Sequence, residues 1–314
     1  MGNVNALVVE LCVMFLKFDR MNRSNFIKLL GLSSLSMSMI SFNDLYSFST
    51  SFPTTEKMPM LFIGHGNPMN AIEENSFVQG FRETAKKLPK PVAIVCISAH
   101  WETKGTQVTA MQNPPTIHDF GGFPQALFDV QYPAPGSPEL AKKVKEIFEP
   151  TRVELEQQWG LDHGTWTTLI HFFPKADVPI IQLSLDYTLS PQQHYDLAKK
   201  LQILRTKGIL IIGSGNIVHN LGLVDFRNIN KENYGYDWAM EARELTNKWI
   251  LEGDHKPLID YKNQGKALNL AAPTPEHYLP LLYILSLQDK SDRIELFNDK
   301  LVAGSLSMTS LIIG

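Results

Sequence analysis

Short apolar runs alternate with amphipathic segments from Pro59 to the carboxyl terminus. Four of these runs are rich in β-branched side chains and bounded by Gly, Pro or Asp, which is typical of buried strands: MLFIG, VAIVCIS, VPIIQLSL and GILIIGSG. Nearly continuous apolar strands separated by helices predict a mostly parallel central sheet flanked by helices, in a single α/β domain.

Helix start signals precede the amphipathic segments. Ser76 with Gln79 predicts a capping box ahead of FVQGFRETAKKL, while Ser137 and Ser190 open ELAKKVKEIF and QQHYDLAKKLQIL. Farther along, DWAMEARELTNKWILEG and LPLLYILSL predict two more helices. The last segment, GSLSMTSLIIG, predicts a closing strand.

The amino-terminal residues differ from the rest of the chain. After Met21 a short basic region precedes an apolar, Ser-rich stretch that reaches Phe42, which is the order of a secretory signal. We therefore expect an amino-terminal extension at residues 1–57, with a possible signal segment from Met21, and a main domain at residues 58–314. The expected location is cytoplasmic, with periplasmic export as the alternative if the segment is a signal.

Composition narrows the classes of function. The chain has 314 residues, a formal net charge of -3 and no Lys/Arg block, so we do not expect a nucleic-acid partner. After the amino-terminal segment, no apolar stretch reaches the ~18 residues of a membrane span. The two cysteines, Cys12 and Cys96, provide neither a disulfide framework nor a thiolate site. Any bound metal must therefore use His and carboxylate ligands.

Three histidines follow predicted strands. His65 comes after MLFIG in the segment FIGHGNPMN, His100 after VAIVCIS, and His219 after GILIIGSG. A lone histidine at a strand end is more often a structural residue, but three at equivalent ends favour a common site. In open α/β sheets ligands bind outside the carboxyl ends of the strands. Imidazoles that converge there suit Zn(II) or Fe(II).

The other histidines occupy loops and helical patterns. His163 lies in a loop that enters a predicted helix, His277 lies near another helix start, and His118 lies in a long loop rich in Gly and Pro. The remaining three look like surface or packing residues: His171, His194 and His255. The SGN run that begins at Ser214 lacks the G-x-S-x-G frame of a nucleophilic serine, so we do not expect a hydrolase triad.

Several motifs together carry a family resemblance: GHGNPM, SAHWET, PPTIHDFGGFPQALFDVQYPAPGSPELA, LDHGTW, GSGNIVHNL and PTPEHYLPLLY. From about Pro59 onward the chain resembles the 4,5-DOPA extradiol dioxygenase family, within the class III ring-cleaving dioxygenases. The resemblance implies that residues 58–314 form a catalytic domain. It also implies one divalent metal ion per subunit, Fe(II) for turnover, with Zn(II) as an alternative bound ion.

The resemblance also implies roles for individual residues. His65, His100 and His277 match metal-ligand positions, and His219 matches a histidine that acts either as a further ligand or as a base beside the metal. Protocatechuate-type relatives use two histidines and one glutamate. Here Glu276 and His277 are adjacent, and adjacent helical residues point about 100° apart. We therefore expect only one of the two to face the metal, and the resemblance implies that it is His277.

The implied reaction is the opening of a catechol such as DOPA by O2, so the expected partners are a small aromatic diol and O2. Such a reaction needs a base for a hydroxyl proton, and His163 is the candidate for this catalytic role. The long loop with His118 and Asp119 is expected to bind the substrate. Its alternative interpretation is an Ω-type surface loop.

Two other functions use the same fold. One is a Memo-like binding protein without oxygen chemistry, and the other is a zinc-dependent hydrolase of a small molecule. The presence of His163 together with all four candidate ligands favours an enzyme over a binding protein.

Overall fold

The computed structural model describes residues 52–229, 231 and 233–314. The possible signal segment after Met21 lies outside the described residues. Phe52 is buried, and the backbone N–H of Thr55 donates to the carbonyl of Thr206. The backbone N–H of Met58 donates in the same way to Arg205. Residues just ahead of position 58 therefore pack onto the main domain.

Within the described ranges, one eight-stranded sheet has the order β4-β3-β5-β2-β6-β1-β10-β7. Its strands are β1 Met60–Gly64, β2 Ala93–Thr103, β3 Thr106–Thr109, β4 Val153–Glu156, β5 Ile180–Asp186, β6 Ile209–Gly215, β7 Ile294–Phe297 and β10 Ser310–Ile313. A separate small hairpin pairs β8 Leu301–Val302 with β9 Leu306–Ser307. The four central strands, β5, β2, β6 and β1, are parallel, whereas β10 and β7 add antiparallel pairs at one side.

The helices lie between the strands and after β6. They are α1 Ser76–Ala85, α2 Gln125–Phe128, α3 Pro138–Ile147, α4 His163–Phe172, α5 Pro191–Ala198, α6 Asp237–Glu252, α7 His255–Ile259, α8 Lys266–Ala271 and α9 Leu279–Ser286. Short 3₁₀ helices occupy Pro68–Ala71, Lys199–Lys207, Leu221–Leu223, Phe226–Asn228 and Tyr261–Asn263.

The cap of α1 differs from the prediction. Asn75, not Ser76, is the N-cap, and its side chain accepts from the backbone N–H groups of Phe77 and Val78. Ser190 starts α5 as predicted, and it also forms a capping box with Gln193. Asparagine and serine cap helices about equally well, so the sequence alone does not decide which of two adjacent candidates is the N-cap.

Both faces of the central sheet are covered. Along β1, Met60 and Phe62 join one apolar cluster, which includes the residues of α9. Leu61 and Ile63 join the opposite cluster, which includes Phe81 of α1 and Trp166 of α4. Alternate side chains of a strand point to opposite faces, so a strand buried on both sides must be apolar throughout. The single α/β domain with a mostly parallel sheet is confirmed.

The carboxyl ends of the central strands carry the residues of interest. β2 runs five residues beyond the predicted end at Ser98, although its pairing with β6 stops there. Its pairing with β5 shifts register between Ile97 and Glu102. His100 sits inside this irregular stretch, above the common edge of the sheet. No helix in the described ranges combines the length and apolar character needed to cross a membrane.

Candidate metal centre and active site

Three of the predicted ligands converge at the carboxyl edge of the sheet. Each of His65, His100 and His277 offers one ring nitrogen, and these atoms all lie within 4.8 Å of one another. The Nε2 atoms of His65 and His100 are 3.2 Å apart. The ring centroid of His277 lies 5.3 Å from that of His65 and 5.0 Å from that of His100. The parallel strands thus bring residues distant in sequence to one point.

A buried serine fixes the protonation of His65. The Oγ of Ser214 donates its proton to the carbonyl of Gly164 at 2.5 Å and lies 3.1 Å from Nδ1 of His65. A hydroxyl has one proton, so Ser214 can only accept from His65. Nδ1 of His65 therefore carries the ring proton, and its Nε2 presents a lone pair to His100.

The turn before α9 positions His277. The backbone N–H of Asn216 donates to the carbonyl of His277 at 2.8 Å. A Cβ at Gly215 would lie only 2.2 Å from that carbonyl oxygen, so the close approach of the turn to β6 requires glycine. Nδ1 of His277 lies 3.2 Å from Oε1 of Glu276. The glutamate thus holds the far side of the ring, as expected for a ligand whose Nε2 faces the cluster.

Glu276 is charged in this setting. Burial alone would raise its pKa, but hydrogen bonds from His277 and Thr274 outweigh burial and lower the pKa to about 2. Its carboxylate offsets part of the positive charge that a cation would bring to the cluster.

The donor set suits a divalent metal ion. Burial first, and the neighbouring imidazoles second, hold the pKa values of His65 and His100 well below their ordinary range, so both rings stay neutral. Two ligands of one tetrahedral ion at about 2.1 Å are about 3.4 Å apart, close to the observed separation of the two Nε2 atoms. Lone pairs that face each other at this distance repel unless a proton or a cation lies between them. The residues therefore fit one metal ion.

His219 lies next to this cluster in a different arrangement. Its ring stacks on that of His277, with centroids 3.5 Å apart and planes 10° apart. Its ligand atoms form a group with Glu276 and His277, not with His65 and His100. The lone pairs of stacked rings run parallel, so His219 would have to turn before it could share an ion with His277. Burial, and then His277, lower the pKa of His219 to about 3. A fourth ligand at His219 stays a prediction.

His163 occupies the first turn of α4, beside the cluster. Its ring centroid is 3.8 Å from that of His100. Its backbone N–H donates to Oδ1 of Asp119 at 2.8 Å, and its Nδ1 lies 3.0 Å from Oδ2 of Asp119. The second contact is close but off the ideal direction of a hydrogen bond. Oδ2 of Asp119 also lies 3.6 Å from Nδ1 of His100.

Asp119 therefore contacts both histidines, although it was predicted to bind substrate. Burial would raise the pKa of Asp119, but the contacts from His163 lower it below the ordinary value. An ionised carboxylate only accepts hydrogen bonds, so it favours the tautomer of His163 with the proton on Nδ1. In the neutral ring of His163, Nε2 is then the nitrogen that carries no proton.

His118, the residue before Asp119, contacts a backbone carbonyl and three aromatic rings. Its Nε2 is 3.0 Å from the carbonyl oxygen of Val130, and its ring contacts Phe120, Phe128 and Trp166. Neither His118 nor Asp119 is among the residues that line the cleft in the described part of the chain. Their predicted contact with substrate remains a prediction.

A buried polar network surrounds Asp162, the residue before His163. Asp162 is the N-cap of α4 and accepts from Ser98 Oγ at 2.7 Å and from Gln182 Nε2 at 2.6 Å. Burial, and then the charge of Asp119, raise the pKa of Asp162. Sequence reasoning missed Ser98, Gln182 and Ser214. The available signals were a capping residue ahead of α4 and single polar residues within otherwise apolar strands.

An open cleft of about 920 Å³ leads to the histidine cluster. Its walls come from the loops beyond the carboxyl ends of the strands. The residues that line it include the five histidines discussed above, His65, His100, His163, His219 and His277. The crevice predicted from the strand ends is therefore present, and the cluster lies within it.

Comparison with known proteins agrees with this geometry. A family model described as the catalytic LigB subunit of aromatic ring-opening dioxygenase matches residues 58–310. The chain belongs to this family. The match spans every residue that lines the cleft, from His65 to Met308.

Two relatives, one bacterial and one from a plant, share a single name. The chain is 45% identical over 265 residues to the 4,5-DOPA dioxygenase extradiol of Escherichia coli K12, which covers 83% of this chain and 96% of that protein. It is 34% identical over 256 residues to the protein of the same name from Beta vulgaris, covering 79% and 94%. A crystal structure of an uncharacterized protein from Escherichia coli K12 superimposes with a TM-score of 0.71 at 40% identity, covering 82% of this chain and all of that one.

Proposed function

We propose that this protein is an extradiol dioxygenase, which opens the ring of a catechol with O2 at one divalent metal ion. The observation that carries the proposal is the group of ring nitrogens from His65, His100 and His277, all within 4.8 Å of one another. Membership of the LigB family and the names of the relatives support the same reaction.

His65, His100 and His277 are the residues that would hold the ion, with Fe(II) as the ion for turnover. When bound, the ion supplies Lewis-acid chemistry and, as iron, activation of O2. Ser214 and Glu276 hold the other nitrogens of His65 and His277, so these rings are oriented before the ion arrives. His219 is either a further ligand or a base next to the ion.

His163 is the proposed acid/base residue. Asp119 favours the neutral tautomer with the proton on Nδ1, in which Nε2 accepts the proton of a catechol hydroxyl in the cleft. Asp119 acts as a positioning residue, because its two oxygens are already engaged with the backbone and ring of His163. A direct contact of Asp119 with substrate stays a prediction. Phe120, whose ring centroid is 5.5 Å from that of His163, gives the substrate an aromatic neighbour.

A zinc-dependent hydrolase is the second candidate function. The observation that favours it is the ligand set itself, because three neutral imidazoles are a common set for catalytic zinc, whereas many non-heme iron oxygenases use two histidines and a carboxylate. Glu276 contacts Nδ1 of His277 and groups with His219 and His277, not with His65 and His100.

The test is to purify the protein without oxygen, measure bound iron and zinc, and screen catechols for the yellow ring-opened product. We expect about one ion per chain and ring opening by the iron-loaded form. His255 does not line the cleft, so His255→Ala serves as the control. It should keep both the bound ion and the ring-opening activity. An iron-loaded protein that opens no catechol, while the zinc-loaded protein hydrolyses esters, would favour the second candidate.

A further inference from the structure

The size of the cleft points to a substrate larger than a bare catechol. A volume of about 920 Å³ lies near the upper end of the range, about 300–1,000 Å³, for pockets that bury a drug-sized ligand. A catechol ring held at the histidine cluster would fill only the inner part of this space. The outer part is therefore available to a substituent on the ring.

One wall of the outer cleft is apolar and exposed. Leu221, Phe226 and Ile229 line the cleft and are 65%, 75% and 43% exposed. Val224 lines the cleft between them. We name these four residues the apolar rim. Single exposed apolar residues are ordinary, but several on one wall of a cavity indicate a surface that a ligand covers.

The backbone that carries the apolar rim is anchored. The N–H of Asn220 donates to the carbonyl of Ser305 at 3.1 Å, and Ser305 Oγ donates back to the carbonyl of Asn220 at 2.8 Å. The N–H of Asp225 donates to the carbonyl of Ala303 at 2.9 Å. The carboxylate of Asp225 accepts from the backbone of Arg227 and the side chain of Asn228.

These contacts use the polar groups of the segment to hold it against the domain. Its large apolar side chains are left facing the cleft, although burying them elsewhere would stabilise the fold by about 1.5–3 kcal/mol each. The arrangement is that of a binding wall.

Aromatic side chains also line the cleft, and one of them, Phe120, lies beside His163. Phe120 and Phe123 line the cleft with ring centroids 5.3 Å apart. The described lining therefore offers a ligand both aromatic side chains and the apolar rim.

We propose that the substrate is a catechol with a bulky apolar substituent, and that this substituent lies against the apolar rim. The proposal rests on the proposed ring-opening function and names its substrate class. The competing substrate is a catechol amino acid, whose ammonium and carboxylate would pair with Glu73 and Lys231, the charged residues of the described cleft lining other than histidine.

Binding to the zinc-loaded protein tests the proposal without turnover. Isothermal titration calorimetry would compare 4-methyl-, 4-ethyl-, 4-propyl- and 4-butylcatechol with DOPA. Each methylene that the apolar rim buries should lower Kd by about two- to fourfold. We expect butylcatechol to bind at least about tenfold more tightly than methylcatechol, and more tightly than DOPA.

Variants of the apolar rim test whether these residues cause the dependence of Kd on chain length. Phe226→Ser and Leu221→Ser should each flatten the dependence of Kd on chain length. Leu251→Ser is the matched control, because Leu251 is 56% exposed but lies outside the cleft, so it should keep the wild-type dependence. A flat series in the wild type, a series unchanged in both rim variants, or tighter binding of DOPA that Lys231→Gln abolishes would overturn the proposal.

Turnover separates this proposal from the proposed function. Length-dependent binding without ring opening by the iron-loaded protein would reject the dioxygenase function and leave the apolar subsite in place. Ring opening with no dependence on chain length, in binding or in kcat/KM, would reject the subsite and leave the function in place.

Discussion

Two kinds of buried histidine occur in this protein. The histidines of the cleft face one another, with the Nε2 atoms of His65 and His100 3.2 Å apart. His194 in α5 is fully buried too, but its Nδ1 is 3.0 Å from the hydroxyl of Tyr283, and its ring contacts that tyrosine. Both kinds have pKa values lowered by burial.

The comparison teaches that burial and a perturbed pKa do not by themselves identify a site. What distinguishes the cleft is the direction of the lone pairs, since Ser214 and Glu276 hold the outer nitrogens of His65 and His277. Among the aromatic ring contacts of the described residues, His194 has one, with Tyr283, and no second imidazole with which to share an ion. If the direction of the lone pairs is decisive, the two kinds of histidine should respond differently to substitution.

The largest effect is expected from His100→Ala. Removal of one of three ligands should lose both the metal and the activity, because the site is weakened before any chemistry begins. Metal analysis after dialysis and a catechol assay would measure both. Full metal content in this variant would remove His100 from the ligand set. His255→Ala should retain metal and activity.

His163→Ala, unlike His100→Ala, should lose activity without losing the metal. Metal content should stay near one per chain, since His163 is outside the proposed ligand set, while kcat should fall by roughly 10²–10⁴, the usual contribution of a positioned acid/base. Asp119→Asn should lower kcat in the same direction, because an amide no longer favours the proton on Nδ1. Asp129→Asn, an exposed position, is the control for the carboxylate. An unchanged ring-opening rate in His163→Ala would transfer the base role to His219.

Ser214→Ala should have a smaller effect. It removes the partner that holds Nδ1 of His65, and loss of such an outer contact typically lowers metal affinity by about 10–100-fold. Competition with a chromogenic chelator would measure the affinity. An affinity equal to that of the wild type would show that Ser214 does not orient the ring.

Replacement of His194 should have the smallest effect on activity. It should instead change how the stability of the fold depends on pH. Burial lowers the pKa of His194 to about 4, against about 6.5 in the unfolded chain. Between these values the unfolded state binds a proton that the folded state does not, so the free energy of unfolding falls as pH falls through this window. The full contribution is at most about 3 kcal/mol.

Urea unfolding of the wild type and His194→Gln between pH 4 and pH 8 would measure this contribution. The wild type should lose more stability than the variant as pH falls below about 6.5, and above that value the two slopes should coincide. Identical slopes throughout would show that His194 does not titrate on unfolding.

The sequence was enough to predict the central strands and the meeting of His65 and His100. Both predictions rest on strong regularities, since buried parallel strands are apolar throughout and their carboxyl ends share one edge. The irregular extension of β2 past Ser98 was not predictable, because a register shift depends on the neighbouring strands rather than on the local pattern.

The arrangement of the loop residues was less predictable. Asp119 lies in a loop without periodicity, so the sequence could not tell whether its carboxylate faces a substrate or the ring of His163. The stacking of His219 on His277 depends on how two turns approach each other across Gly215. Motif resemblance placed these residues near the site but carried no information on orientation.

The central claim is that His65, His100 and His277 hold one ion through their inner nitrogens. A crystal structure of the zinc-loaded protein, with anomalous data at the zinc edge, tests it most directly. The account predicts a single peak about 2.0–2.1 Å from the Nε2 atoms of all three histidines. No peak at that point, or a peak between His219 and Glu276 instead, would contradict it.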